Sequence, residues 1–190
     1  MNRRKAIYGI LGLGAIAAAG STCYNLLRCY TEPDLAYIAL NKLLIADIAD
    51  TIIPRTTTAG AKDLNVEEFV ILMIRDCTDK KNQNAIVFGL KDIKEFALAN
   101  YKKEFSNCSL SERISILTHF EDKEVINSFA RKVKAKLVGG NFMALLKQYT
   151  AIGYCTSEQG ATASLSYLPV PGAFEGCIPL EKEQKSWATK

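Results

Sequence analysis

From residue 35 onward the chain reads as a succession of amphipathic helices. Over 35–53 the apolar residues Leu35, Ile38, Leu40, Leu43, Leu44, Ile48 and Ile52 recur mostly every three or four positions. That spacing lays one stripe of a single long helix against a core. Asp34 stands where a helix N-cap belongs. Pro54 stops the helix, because the residue before a proline is driven out of the α region. The loop Arg55-Thr56-Thr57-Thr58-Ala59-Gly60-Ala61 is polar and has no hydrophobic pattern. Helical spacing returns over 66–77, where Phe69, Val70, Leu72, Met73 and Ile74 predict a strongly apolar, buried helix. Residues 83–105 predict a longer, charge-laced helix with Ile86, Leu90, Ile93, Phe96, Ala97 and Tyr101 on one face. Ser109 and Glu112 have the spacing of a capping box, so a fresh helix starts there and runs to about Phe120. Another is expected over 122–138, closed by Gly139-Gly140, and a last one over 142–152, reaching Tyr154 at most.

Beyond Cys155 the character changes. Residues 156–162 are small and polar, and the prolines of Leu165-Ser166-Tyr167-Leu168-Pro169-Val170-Pro171-Gly172 forbid a helix. No stretch alternates strictly over more than a few residues, so little sheet is expected. The fold class is therefore all-α: one bundle of about five or six helices with an extended, Pro-containing C-terminal tail. Tyr154, Tyr167, Leu168, Val170 and Phe174 put large apolar groups around and along that tail. Either they fold back on the bundle or they meet another protein.

The N-terminus reads differently from the body. Asn2-Arg3-Arg4-Lys5 is a short basic stretch, and residues 6–20 are an uncharged run of mostly Ala, Gly, Leu and Ile. A helix of about fifteen residues spans roughly 22 Å, short for a membrane span and right for the apolar core of a signal peptide. The pair Arg3-Arg4 ahead of a weakly hydrophobic core resembles a twin-arginine export signal, which carries proteins across the membrane already folded. The alternative is an ordinary secretory signal or a retained anchor. Ala17-Ala18-Ala19-Gly20-Ser21 offers small residues for cleavage. Cys23 lacks the aliphatic residue expected three places upstream of a lipidated cysteine. Domain organisation follows: 1–30 as signal or anchor, 31–190 as one helical domain.

Charge and candidate chemistry narrow the function. The chain carries 24 Lys and Arg against 20 Asp and Glu, a net charge of +4. Three of those positive charges are Arg3, Arg4 and Lys5, and without them the remainder is close to +1. No clustered basic stripe of the kind that binds phosphate backbones is present, so nucleic acid is not an expected partner. The six cysteines, Cys23, Cys29, Cys77, Cys108, Cys155 and Cys177, form no C-x-x-C pair. With a single histidine they give a metal site little support. Outside the cytosol such cysteines are more often disulfides. Cys77 or Cys155 joined to Cys177 would tie the tail to the body. His119 ends an amphipathic helix, where interaction with the dipole or with water is the expected role. Asp47 and Asp50 lie three apart on the first helix and can face the same way. A paired-carboxylate site would need a partner acid or a cation, which Arg55 could supply; the favoured reading is a structural ion pair that organises the following loop. Gly9, Gly12 and Gly14 lie in the apolar run with no strand before them, and are no phosphate loop. No catalytic, cofactor-binding or metal-binding residue emerges.

Two stretches together carry a resemblance. Ile48-Ala49-Asp50-Thr51-Ile52-Ile53-Pro54-Arg55-Thr56 followed by Thr58-Ala59-Gly60-Ala61, and Gly153-Tyr154-Cys155-Thr156-Ser157-Glu158 with Gly160-Ala161 and then 167–177, resemble the two signatures of the gluconate 2-dehydrogenase subunit 3 family. Ala59 stands where that family often has proline, and Cys155 where it often has tyrosine. The resemblance implies a small, non-catalytic subunit of a membrane-associated dehydrogenase that oxidises sugars or sugar acids outside the bacterial inner membrane. It implies a separate large subunit that holds the FAD and the active site, often with a cytochrome c subunit, and no cofactor in this chain. The expected location is the periplasm, at the inner membrane. Tyr154, Thr156, Ser157, Glu158, Tyr167, Pro169, Pro171 and Phe174 become the candidate partner interface. The rival reading is a stand-alone, envelope-anchored binding protein.

Overall fold

A computed structural model of the chain describes residues 30–122 and 140–166 and, in the tail, 170, 172, 176–177, 179, 182 and 184–187. Among the described residues six α-helices follow one another: α1 (Leu35–Leu40), α2 (Lys42–Ile52), α3 (Val66–Cys77), α4 (Lys80–Tyr101), α5 (Leu110–Asp122) and α6 (Phe142–Thr156). Short 3₁₀ turns at Lys62–Leu64 and Phe105–Asn107 and a π-helical turn at Gly160–Ser164 join them. The all-α bundle is as expected, and sheet among the described residues is a single bridge between Ser166 and Trp187. The expected helix over 122–138 lies outside the described residues.

Several boundaries differ from the periodicity, for local reasons. The expected helix over 35–53 is two helices. Asn41 breaks it by turning its Nδ2 onto the Tyr37 carbonyl at 2.8 Å, a side-chain bond that competes with the helical ladder. Lys94 of α4 donates to the Asn41 Oδ1 at 3.1 Å and holds the break against the bundle. The break leaves Leu40 and Leu43, expected on the core stripe, 85% and 74% exposed. Asp34 caps α1 as expected, accepting from the Tyr37 amide at 2.9 Å. Helix α4 starts three residues early and stops at Tyr101, where Lys102 takes a left-handed C-cap conformation. Phe105, expected at that helix's end, instead turns inward from the 3₁₀ turn and is buried. The capping box forms: the Ser109 amide donates to Glu112 Oε2 at 2.7 Å, and the Glu112 amide points back at Ser109 Oγ.

One core runs through the bundle, built on Ile45 and Ile48 of α2, Val70 and Ile74 of α3, Ile86, Leu90 and Ile93 of α4, Ile116 of α5, and Met143 and Leu146 of α6. Helix α3 packs antiparallel to α6: its start meets Gly153, while Thr78 just past its end bonds the Tyr149 hydroxyl at 2.8 Å. Glycine makes that approach possible. A Cβ on Gly153 would stand 2.7 Å from the Phe69 ring and 3.0 Å from Val66 Cγ1. The orphan carbonyls at the end of α3 are satisfied from the next helix. Buried Gln83 donates its Nε2 to the Ile74 and Arg75 carbonyls at 2.9 and 3.1 Å. Helix α3 is less uniformly apolar in its burial than its sequence implies, for Leu72 is half exposed while Glu67 is buried.

Candidate functional site

The loop between α2 and α3 is closed at its neck. The Ala61 amide donates to the Ile53 carbonyl at 2.9 Å, so residues 54–60 leave the bundle and return at one point. Inside the loop the Thr56 amide reaches the Thr58 carbonyl, and the Gly60 amide donates to Asp63 Oδ2 at 2.9 Å. Gly60 is buried against the loop's own start. A Cβ there would lie 2.7 Å from the Arg55 nitrogen and 3.2 Å from Asp50 Oδ1. Arg55 places its Nε 3.5 Å from Asp63 and leaves its side chain three-quarters exposed.

Beneath the loop is a charge cluster. Asp47, buried on α2, accepts from Lys62 Nζ at 2.7 Å and lies 3.9 Å from the Arg113 guanidinium of α5. Arg113 also donates to the Phe105 and Ser106 carbonyls. This corrects the expected pairing of Arg55 with Asp47 or Asp50: Lys62 is the cation on Asp47, and Arg55 belongs to Asp63. Lys62 follows the loop and sits in the 3₁₀ turn that returns the chain beneath α2. Nothing in the linear spacing distinguishes it from the neighbouring charges.

The C-terminal motif meets this loop through one side chain. Tyr154, buried at the end of α6, donates its hydroxyl to the Ala59 carbonyl at 2.9 Å across 95 positions of sequence. The same oxygen lies 2.9 Å from Ser164 Oγ in the π-helical turn. Ser157 donates its Oγ to the Tyr154 carbonyl at 2.7 Å and accepts from the Gly160 amide at 3.1 Å. A Cβ on Gly160 would collide with the Tyr154 carbonyl oxygen, so the turn demands glycine there. The tail returns to the same place: the Ser166 amide donates to the Ser186 carbonyl at 2.8 Å. The first signature and the described start of the second, through Ala161, thus form one structural unit.

The candidate residues divide accordingly. Tyr154 is buried and Ser157 is partly buried, and both hold the unit together. Thr156 and Glu158 are exposed beside it. Thr156 turns its hydroxyl back to the Ile152 carbonyl at 2.7 Å. Tyr167, Pro169, Pro171 and Phe174 lie outside the described residues, as do Arg3 and Arg4. The disulfide candidates Cys77, Cys155 and Cys177 are free and exposed, and Cys108 is free and buried. Its Sγ points at the Glu104 carbonyl, and burial pushes the thiol's pKa up. His119 stacks on Phe96 with ring centroids 4.3 Å apart and packs edge-on against Phe120, its Nε2 buried without a hydrogen-bond partner among the described residues. Its role is packing between α4 and α5. Among the described residues no three His, Cys, Asp or Glu side chains converge as a metal site, and no helix is long and apolar enough to cross a membrane.

A second surface feature was not expected. A shallow groove of about 180 Å³ opens where α1 breaks from α2, lined by Leu40, Leu43, Leu44, Leu98 and Phe105 among others. It sits at the break itself, and Leu40, Leu43 and Leu44 are the leucines expected on the core stripe of the first helix.

Residues 39–172 match the family model described as Gluconate 2-dehydrogenase subunit 3. The match takes in the closed loop, the charge cluster beneath it and the Tyr154 junction. No curated protein and no solved structure matches the chain.

Proposed function

The chain belongs to the gluconate 2-dehydrogenase subunit 3 family, and from that membership we propose that it is the non-catalytic accessory subunit of a flavin-dependent sugar or sugar-acid dehydrogenase. The observation that carries this reading is the family match itself, which spans most of the helical body, the first signature and the second as far as Gly172. The residues described here are consistent with it. In the described parts of the two signatures, Tyr154, Ser157, Gly60 and Gly160 shape a loop and a turn.

In this reading the large partner subunit holds the FAD and performs the oxidation, a cytochrome c subunit takes the electrons onward, and this chain assists export, maturation and stability of the flavoprotein. The export role rests on Arg3-Arg4. A flavin is inserted into a folded protein, and a folded protein needs a route that accepts it folded. A partner without its own signal then travels attached to this chain, and the complex works in the periplasm at the inner membrane. The test is to change Arg3 and Arg4 to Lys together in the native host and fractionate the cells. The flavoprotein should move from the periplasmic or membrane fraction to the cytoplasm. An unchanged distribution refutes the export role, and a tagged chain that purifies alone and colourless refutes the subunit role.

A further inference from the structure

We propose that the dehydrogenase partner docks on the composite surface formed by loop 54–60 and the turn 155–163, with Arg55 and Glu158 as its charged contacts; this rests on the accessory-subunit reading above. The first argument is how much structure is devoted to presenting a polar loop. The neck bond from Ala61 to Ile53, the Gly60 amide on Asp63, and the Tyr154 hydroxyl on Ala59 fix residues 54–60 from three sides. Glycines at 60 and 160 permit backbone approaches that any side chain would block. Ala61 and Tyr154 belong to the core, but the residues they hold in place, 55–58, lie outside it and face solvent or the loop itself. Rigidly held, solvent-facing loops are where recognition is usually placed, because ordering them beforehand removes an entropic cost of binding.

The second argument is what the surface presents. Pro54, Arg55, Thr56 and Thr57 on one side and Cys155, Thr156, Glu158 and Gln159 on the other are exposed. The Arg55 side chain is 75% exposed and touches Asp63 only at 3.5 Å. A guanidinium held at its base and free at its fork is suited to a carboxylate on another protein, and arginine is over-represented among residues that dominate binding energy. Glu158 offers the opposite charge on the adjoining turn. The partner surface that fits is polar, with a carboxylate facing Arg55 and a cation facing Glu158. The leucine groove at Leu40, Leu43 and Leu98 lies elsewhere, at the α1–α2 break, and is the competing face.

The experiment is co-purification of flavin absorbance with the full-length, tagged chain from its native host. Four variants are compared at matched expression: Arg55→Glu, Thr57→Arg, Glu158→Arg and, on the competing face, Leu43→Asp. Each is also checked for helical circular dichroism and melting temperature. The three loop and turn variants should each lower co-purified flavin at least tenfold with melting unchanged, and Leu43→Asp should leave it at the wild-type level. Loss with Leu43→Asp and retention with the other three overturns the assignment, as does retention with all four. Should Arg55→Glu lower the melting temperature, Thr57→Arg and Glu158→Arg decide the matter, since neither side chain forms part of the loop's internal bonds. Wild-type chain that brings down no flavin overturns the accessory-subunit reading, and this inference with it.

Discussion

Removing the Tyr154 hydroxyl tests the junction of the two signatures more directly than any other single change. In Tyr154→Phe the ring keeps its place and leaves no large cavity, so the perturbation is one oxygen. That oxygen donates to the Ala59 carbonyl at 2.9 Å and lies 2.9 Å from Ser164 Oγ. A neutral intramolecular hydrogen bond contributes about 1 kcal/mol net. Ala59 and Ser164 are only partly buried, so water recovers some of the loss, and the expected destabilisation is about 1–2 kcal/mol. Tyr154→Ala, which also empties the ring's space, should cost roughly 3–5 kcal/mol. For a chain of this size the Phe variant lowers Tm by about 2–8 °C. The local effect is more diagnostic. The Ala61 amide closes the loop neck onto Ile53, and loosening the latch by about 1.4 kcal/mol speeds its hydrogen exchange about tenfold. Exchange read by mass spectrometry at peptides covering 54–61, with a peptide from α4 as reference, measures this. A Tm within 1 °C of wild type together with unchanged exchange at Ala61 would refute the latch. Adding Ser164→Ala in a double-mutant cycle separates the two bonds: strong coupling between the changes is expected, because both act on one oxygen.

Three further outcomes follow from the packing and the charges. Gly153→Ala gains about 1 kcal/mol of helix propensity, but its Cβ would press on the Phe69 ring and Val66. Overpacking of that kind costs about 1–3 kcal/mol, so urea unfolding should show net destabilisation, and a stabilised variant would show that α3 and α6 shift apart freely. The Glu112 carboxyl is held below its usual pKa, first by the Ser109 amide that donates to it. A carboxylate with a depressed folded pKa contributes stability above its unfolded pKa of about 4.3 and loses it as pH falls through the folded value. The melting-temperature gap between wild type and Glu112→Gln should therefore be full at pH 6–7 and close progressively below about pH 4; a gap independent of pH contradicts the capping role. Alkylation followed by peptide mapping should label Cys77, Cys155 and Cys177 well before Cys108, whose buried thiol is both shielded and raised in pKa. Equal rates under native conditions would contradict its burial.

What the sequence determined by itself was the class of structure and much of its punctuation. Local rules suffice for such features. Apolar residues every three or four positions can be satisfied only on a helix facing a core, and α3 begins and ends where that pattern does. The Asp34 cap and the Ser109–Glu112 box need only three or four neighbouring residues to close, and both formed as read. The two signatures were also visible in the chain, as separate strings.

Tertiary structure decided what those strings do. Asn41 has ordinary helix company; its bond to the Tyr37 carbonyl makes the break, and Lys94, 53 positions away, holds it against the bundle with Leu40 and Leu43 turned outward. Asp47 has several cations nearby in sequence. Lys62 takes it because the neck of the loop returns the chain beneath α2, while Arg113 approaches from another helix. Tyr154 reads as one more apolar aromatic until the antiparallel packing of α3 on α6 brings it under Ala59. In each case a partner remote in sequence fixes the outcome, even where, as at Asn41, a local bond begins it; a pairing between remote groups depends on how helices pack, which the spacing within any one helix does not encode.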